Sequence, residues 1–280
     1  MSNLKSLLMS VSMLAAVATG AVAQEQKGKL EEVLARGELI VGTGSTNAPW
    51  HFMNDKGELV GFDIAISHIL AKGLFDDPNK VRFVDQSSDS RIPNLVAGKV
   101  DIVCQFLTVT AQRALQVDFT IPYYREGGSI LLAQNSKFKD YDALRAAGKD
   151  VTVSILQNPF AEEFARKALP DARVDQYESA DLLIQAVNSG RVDAGFIDAS
   201  SLQWLMRQQP GQYRDAGFHW QPQSYACAVK KGDPEFLNWV NTALHEAMTG
   251  VEFDAYSAAF KEYFGTELQS TALGMPVEYR

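Results

Sequence analysis

The sequence predicts an α/β chain of two lobes, each a mainly parallel sheet with flanking helices, and three observations carry that expectation. Two segments read alike, Leu95-Val96-Ala97-Gly98-Lys99-Val100-Asp101 and Ala186-Val187-Asn188-Ser189-Gly190-Arg191-Val192-Asp193. Each is an apolar helix end, a glycine stop, one basic residue and a Val-Asp pair opening an apolar strand. Strand-like and helical patterns also alternate in both halves, the order of a parallel sheet covered by helices. Finally, the strand-like runs at 129–133 and 225–229 cross between the halves. A double crossing makes a hinge, and a hinge permits closure around a ligand. With 280 residues the chain has room for two modest domains.

The elements follow in order. Lys5 precedes an apolar run from Leu7 to Ala18, then Ala21-Val22-Ala23, the small-x-small pattern of a signal-peptidase site. A leader over 1–23, cleaved after Ala23, is expected, and the run is shorter than the ~20 residues of a membrane span. Leu30, Val33 and Leu34 mark a short helix stopped by Gly37, and Glu38 to Gly42 a buried strand. A loop from Thr43 to Trp50 follows, then a turn at Asn54-Asp55-Lys56-Gly57 between short strands. Asp63 to Phe75 reads as helix, Val81 to Val84 as strand, Arg91 to Ala97 as helix and Val100 to Cys104 as strand. The second cycle runs through strand 151–155, helix 161–169, strand 173–175, helix 181–188 and strand 192–197. Tyr225 to Val229 reads as a returning strand. Asp233 and Pro234 then start a helix that buries Phe236, Val240, Leu244 and Met248 and stops at Gly250. A last helix covers Phe253 to Phe264.

Composition narrows the function. Removing the leader takes Lys5 and no acid, moving the net charge from −8 to −9, which argues against nucleic acid or an anionic membrane as partner. Gly42-Thr43-Gly44 has Asn47 where a dinucleotide fingerprint needs its third glycine, and no phosphate loop or nucleophile elbow is present. His51, His68, His219 and His245 lack metal-ligand spacing and read as surface or packing residues; no metal or cofactor is expected. Cys104 and Cys227 sit in apolar runs, where a disulfide and two buried thiols are both open readings. Arg113 follows a strand and turn, and its guanidinium can grip a carboxylate with two parallel hydrogen bonds; it can equally be a surface arginine. Asp198 closes an apolar run, where a carboxylate needs a cation or a helix to cap. At equivalent ends of duplicated units, the two suit a small zwitterion held between the lobes.

These residues resemble those of the periplasmic amino-acid-binding proteins of ABC importers, the family-3 solute-binding proteins. The resemblance rests on Leu59-Val60-Gly61-Phe62-Asp63-Ile64, Gly98-Lys99-Val100-Asp101, Thr108-Val109-Thr110-Ala111-Gln112-Arg113, Val117 to Tyr124, and Gly190-Arg191-Val192-Asp193-Ala194. It implies a type II periplasmic-binding-protein fold, with one lobe from 24–127 plus 226–280, a second from 128–225 and a two-strand hinge. It also implies that Arg113, assisted by Thr108, binds the ligand α-carboxylate and that Asp198 binds the α-ammonium. The second-lobe segment that offers donors to the carboxylate matches Leu156-Gln157-Asn158, where the family's glycine is lost. Ala65 stands where an acid is usual.

The side-chain pocket implied by the resemblance takes in Asn47, Trp50, Phe52, Ser88, Arg91, Gln105 and Phe106. Glutamate and aspartate binders share the pattern Ser88-Asp89-Ser90-Arg91-Ile92-Pro93 and cysteines matching Cys104 and Cys227, which implies the disulfide. Gly44 supplies neither the arginine of those binders nor the acid of basic-ligand binders. Trp50 and Phe106 favour a bulky neutral or aromatic side chain, as does likeness to aromatic-amino-acid binders in the Val-Ser-x-Leu-Gln-Asn segment; Arg91 keeps an acidic ligand open. The expected protein is a periplasmic monomer that is not an enzyme, delivering a free amino acid to a membrane permease. Two alternatives are a secreted cyclohexadienyl dehydratase with His51 or Asp89 as general acid, and a sensory module that docks on a receptor.

Overall fold

The structure, a computed structural model, describes residues 28–219, 222–270, 272 and 274. The expected leader and its cleavage site lie outside the described residues.

The chain enters through α1 (Lys29–Arg36), closed by Gly37 at φ 74°, where a side chain would be strained. Strand β1 (Leu39–Thr43) is followed by a small three-stranded sheet, β2 (Thr46–Asn47), β3 (His51–Met53) and β4 (Leu59–Val60). Then come α2 (Phe62–Phe75), β5 (Val81–Asp85), α3 (Arg91–Val96), β6 (Ile102–Val103), α4 (Ala111–Ala114) and β7 (Val117–Phe119). Strand β8 (Tyr124–Glu126) leads out of this lobe into β9 (Gly128–Ala133). The second lobe continues with α5 (Tyr141–Ala147), β10 (Thr152–Leu156), α6 (Pro159–Ala168), β11 (Arg173–Tyr177), α7 (Ala180–Asn188), β12 (Ala194–Asp198), α8 (Ala199–Gln208) and β13 (Tyr213–His219). The chain returns through β14 (Gln223–Tyr225) to β15 (Ala228–Lys230), α9 (Pro234–Thr249) and α10 (Phe253–Phe264).

The two five-stranded sheets have matching plans, β5-β1-β6-β15-β7 and β11-β10-β12-β9-β13. In each the first three strands are parallel and the fourth antiparallel, and that fourth strand is the one arriving from the other lobe. Between the sheets β8 and β14 pair antiparallel, Gln223 opposite Glu126 and Tyr225 opposite Tyr124, which makes the hinge a two-strand ribbon. This is the two-lobed type II architecture. One core gathers Val41, Phe62, Ile66, Val240 and Leu244; the other gathers Ile130, Val153, Ile155 and Phe164.

The duplicated segments have a structural job. Asp101 Oδ2 accepts from Ile40 N at 2.8 Å while Asp101 N donates to Ile40 O at 2.9 Å. Asp193 Oδ2 accepts from Thr152 N at 2.9 Å while Asp193 N donates to Thr152 O at 2.8 Å. Each aspartate thus pins the start of the neighbouring parallel strand, β1 or β10, and satisfies a backbone N–H there. Gly98 (φ 72°) and Gly190 (φ 69°) make the left-handed turns that set these loops.

The structure departs from expectation in three places. The run Tyr225–Val229 is broken into β14 and β15, because Ala226 N donates to Leu107 O and Cys227 N to Thr120 Oγ1. These bonds turn the chain from the hinge ribbon into the sheet. In α9 it is Ala247, not Met248, that is fully buried, following Phe236, Val240 and Leu244 at helical spacing. Helices α4, α5 and α8 and strands β7, β8 and β13 go beyond the expected elements. Cys104 and Cys227 are joined in a disulfide within the first lobe, across the 123 residues that include the second.

Candidate functional site

The carboxyl ends of both sheets face one cleft, the usual ligand position in open α/β sheets. On the first-lobe side, Thr110 caps the short α4 by accepting from Arg113 N, and this turn presents Arg113. The guanidinium donates through Nη1 to Thr108 O at 2.8 Å and lies 5.4 Å over the Phe160 ring of the second lobe. Burial lowers its pKa. Thr108 Oγ1 donates to Gln223 Oε1 at 3.2 Å, tying the site to the hinge.

On the second-lobe side, Asp198 ends β12 and starts α8 as its N-cap residue, yet its side chain accepts no bond from that helix. It accepts instead from the Tyr225 hydroxyl of the hinge at 2.6 Å. Burial pushes the Asp198 carboxyl up to about 6 despite that bond. Close by in β8, Glu126 is buried and accepts from Ser200 Oγ, Ser200 N and Gly127 N. Burial first, then the Asp198 charge, pushes Glu126 up to about 8. Ser200 Oγ in turn accepts from Trp50 Nε1 at 3.0 Å, so a first-lobe side chain bonds a second-lobe helix.

Two adjoining cavities occupy the cleft. The first is lined by Arg91, Thr108, Arg113, Asn158, Asp198, Ser201, Gln223 and Tyr225 on its polar side and by Phe106, Phe160, Phe164, Leu183 and Phe196 on its apolar side. Gly128 in its wall admits no side chain, since a Cβ would run into Phe164. The second, of about 230 Å3, is polar, with Gly44, His51, Gln86, Ser88, Gln105 and Glu178 in its lining. Asn47, Phe106, Leu156 and Ala180 are shared by both. His51 and Gln105 fill the space a residue-44 side chain would need, with His51 Cδ2 2.9 Å from a Cβ built there. His51 Nδ1 donates to the buried Asp63 at 2.9 Å, and its ring stacks on Phe106.

Of the expected site residues, Arg113, Asp198, Thr108, Phe106, Asn47, Asn158 and Arg91 come together on the first cavity, and Ser88 and Gln105 on the second. Trp50, Phe52 and Gln157 line neither. Trp50 is 0% exposed, locked among Phe62, Tyr124, Tyr225 and Phe264. Phe52 packs on Trp204 and Tyr263, and Gln157 is exposed, its N–H spent on Tyr177 O. Asn158 caps α6, accepting from Ala161 N. Arg91 is 3% exposed; it donates to Ser88 O and Gln105 O, stacks over Phe106, and has no ion-pair partner among the described residues. Burial and the neighbouring Arg113 bring its pKa down to about 9.

Tyr225, Gln223, Glu126 and Ser201 were not legible as site residues. Phe160 and Phe164, four apart in α6, carried an ordinary helix-face signal. Asp89, the other candidate acid, is held ionised by the Ser87 hydroxyl and lines neither cavity. Among the described residues no helix could cross a membrane and no cluster of three or more His, Cys, Asp or Glu is placed to hold a metal.

Residues 39–266 match the family described as bacterial extracellular solute-binding proteins, family 3. The ABC transporter glutamine-binding protein GlnH of Bacillus subtilis is 28% identical over 82% of this chain and 84% of its own. The L-cystine-binding protein TcyJ of Escherichia coli K12 is 27% identical over 93% and 94%. The crystal structure of the ancestral amino acid-binding protein AncCDT-1, described as a precursor of cyclohexadienyl dehydratase, superposes with a TM-score of 0.75 at 33% identity, covering 84% of this chain and 99% of that one.

Proposed function

The chain belongs to the family-3 extracellular solute-binding proteins, and from that membership we propose that it captures one free amino acid in its cleft and delivers it to the permease of an ABC importer. Arg113 takes the α-carboxylate through paired guanidinium hydrogen bonds, with Thr108 beside it. Asp198 takes the α-ammonium. The reading is carried by one observation: a first-lobe guanidinium and a second-lobe carboxylate line the same cavity. Since each lobe brings one charge, a zwitterion favours the closed arrangement over the open one by its differential contacts. The mature protein is proposed to act in the periplasm as a monomer after cleavage behind Ala23.

The apolar wall of Phe160, Phe164, Leu183 and Phe196 supports a bulky neutral or aromatic side chain. Arg91 supports a second reading, an acidic ligand, because a buried guanidinium without an anion is costly and a side-chain carboxylate would neutralise it. A thermal-shift screen against the twenty amino acids, followed by calorimetry, tests both. One strong stabilisation by a neutral amino acid supports the first reading and one by glutamate or aspartate the second. No stabilisation by any amino acid refutes the proposal.

A further inference from the structure

We propose that Ser201 reads the ligand side chain, and that the captured amino acid carries a hydrogen-bonding group on an otherwise apolar side chain. The inference rests on the amino-acid reading above. Ser201 is 3% exposed and lines the first cavity, yet its Oγ has no hydrogen-bond partner among the described residues. A helical serine commonly bonds a carbonyl one turn back; this one does not.

The second-lobe neighbours are already engaged. Asn158 caps α6, Asp198 accepts from Tyr225, and the adjacent Ser200 is held between Trp50 and Glu126. The side chains of the rest of this wall are apolar, Phe160, Phe164, Leu183, Ile184 and Phe196 among them. A hydroxyl both donates and accepts, and leaving it unpaired against an apolar ligand carries the penalty of a buried polar group. Its position fits. Asp198 is the N-cap of α8 and Ser201 lies in that helix's first turn, and both line the same cavity, so a ligand whose ammonium meets Asp198 has its side chain within that cavity beside Ser201. A purely hydrocarbon side chain fills the apolar wall and strands the hydroxyl; one with a hydroxyl, amide or ring N–H satisfies both.

The test is calorimetry on wild type and Ser201→Ala with shape-matched pairs: tyrosine and phenylalanine, threonine and valine, asparagine and leucine, glutamine and methionine. In the wild type the tightest ligand is a polar member, bound about tenfold better than its apolar partner, the effect of one neutral hydrogen bond. Ser201→Ala closes that gap by weakening the polar member alone, and the retained affinity for the apolar member shows the variant is folded. An apolar member binding as well as its polar partner in the wild type overturns the inference, and so does a gap that survives Ser201→Ala. A wild type that binds no amino acid refutes the underlying reading instead.

Discussion

Replacing Asp198 with asparagine separates binding from folding, because the two effects have opposite signs. The carboxylate is the cavity's second-lobe anion and, among the described residues, is held by one side-chain hydrogen bond, from Tyr225 at 2.6 Å. In Asp198→Asn the amide oxygen still accepts from that hydroxyl, but an N–H2 group turns toward the ligand's ammonium, donor against donor. Truncating one partner of a buried charged pair costs about 2–5 kcal/mol, and at about 1.4 kcal/mol per decade the affinity falls by at least about thirtyfold at neutral pH. Folding responds the other way. With its pKa pushed up to about 6, Asp198 favours the folded state fully below the ordinary carboxylate range, and that contribution is lost as pH rises through about 6. Above that pH the wild type therefore bears the cost of a half-buried, ionised carboxylate, about 2–3 kcal/mol by the size of the shift, which the amide removes at the expense of a weaker Tyr225 bond. The unliganded variant melts at or above the wild-type temperature. Calorimetry with the best amino acid and melting of the unliganded protein read the two effects. Affinity within about tenfold of wild type, in a variant that melts normally, would remove Asp198 from the binding site.

Four further outcomes are expected. Arg113→Lys keeps the charge but not the paired geometry, so affinity drops at least about tenfold; near-normal calorimetric binding by the lysine variant would contradict a bidentate grip. Ligand affinity should hold from about pH 8 to 7 and fall about tenfold per unit below about 6, as Asp198 takes up its proton; a profile flat to about pH 5 is the contrary result. Glu126, pushed up to about 8, favours folding fully below the ordinary carboxylate range and loses that contribution as pH rises through about 8. Glu126→Gln should thus flatten the decline in melting temperature between about pH 5 and 8.5, and parallel curves would show that Glu126 does not titrate as described. Reducing the Cys104–Cys227 bond frees a long loop and should lower stability by about 4–5 kcal/mol on the chain-entropy account; unchanged denaturant midpoints with and without reductant would contradict this.

Local patterns made the sheets legible, because each repeat states its own geometry: a helix end, a left-handed glycine, and an aspartate that closes a pair of backbone bonds to the next strand. That signal sits at the opposite ends of the strands from the ligand cleft. Asp101 and Asp193 therefore report on folding, while Arg113 and Asp198 stand farther along the chain, where the two lobes no longer resemble each other. The hinge was visible as two crossings, but not where the strand at 225–229 breaks, since that break depends on Leu107 and Thr120 reaching in from more than a hundred residues away.

Residue type misled most where an aromatic could face either way. Trp50 and Phe106 look equally suited to a ligand, and only packing separates them. Trp50 is drawn into a cage of Phe62, Tyr124, Tyr225 and Phe264 and spends its N–H on Ser200. Phe106 instead turns into the left-handed region at φ 35°, its N–H held by Asp63, and shows its ring to both cavities. The same logic divides two neighbouring serines. Ser200 completes a bond from the first lobe through to the hinge carboxylate, so its hydroxyl is spent between the lobes. Ser201, one residue on, turns out of that chain and into the cavity. A pair of identical residues thus stands in two settings, one bridging the lobes and one facing the cavity as the proposed reader of the ligand, and what tells them apart is which hydroxyl already has its partners.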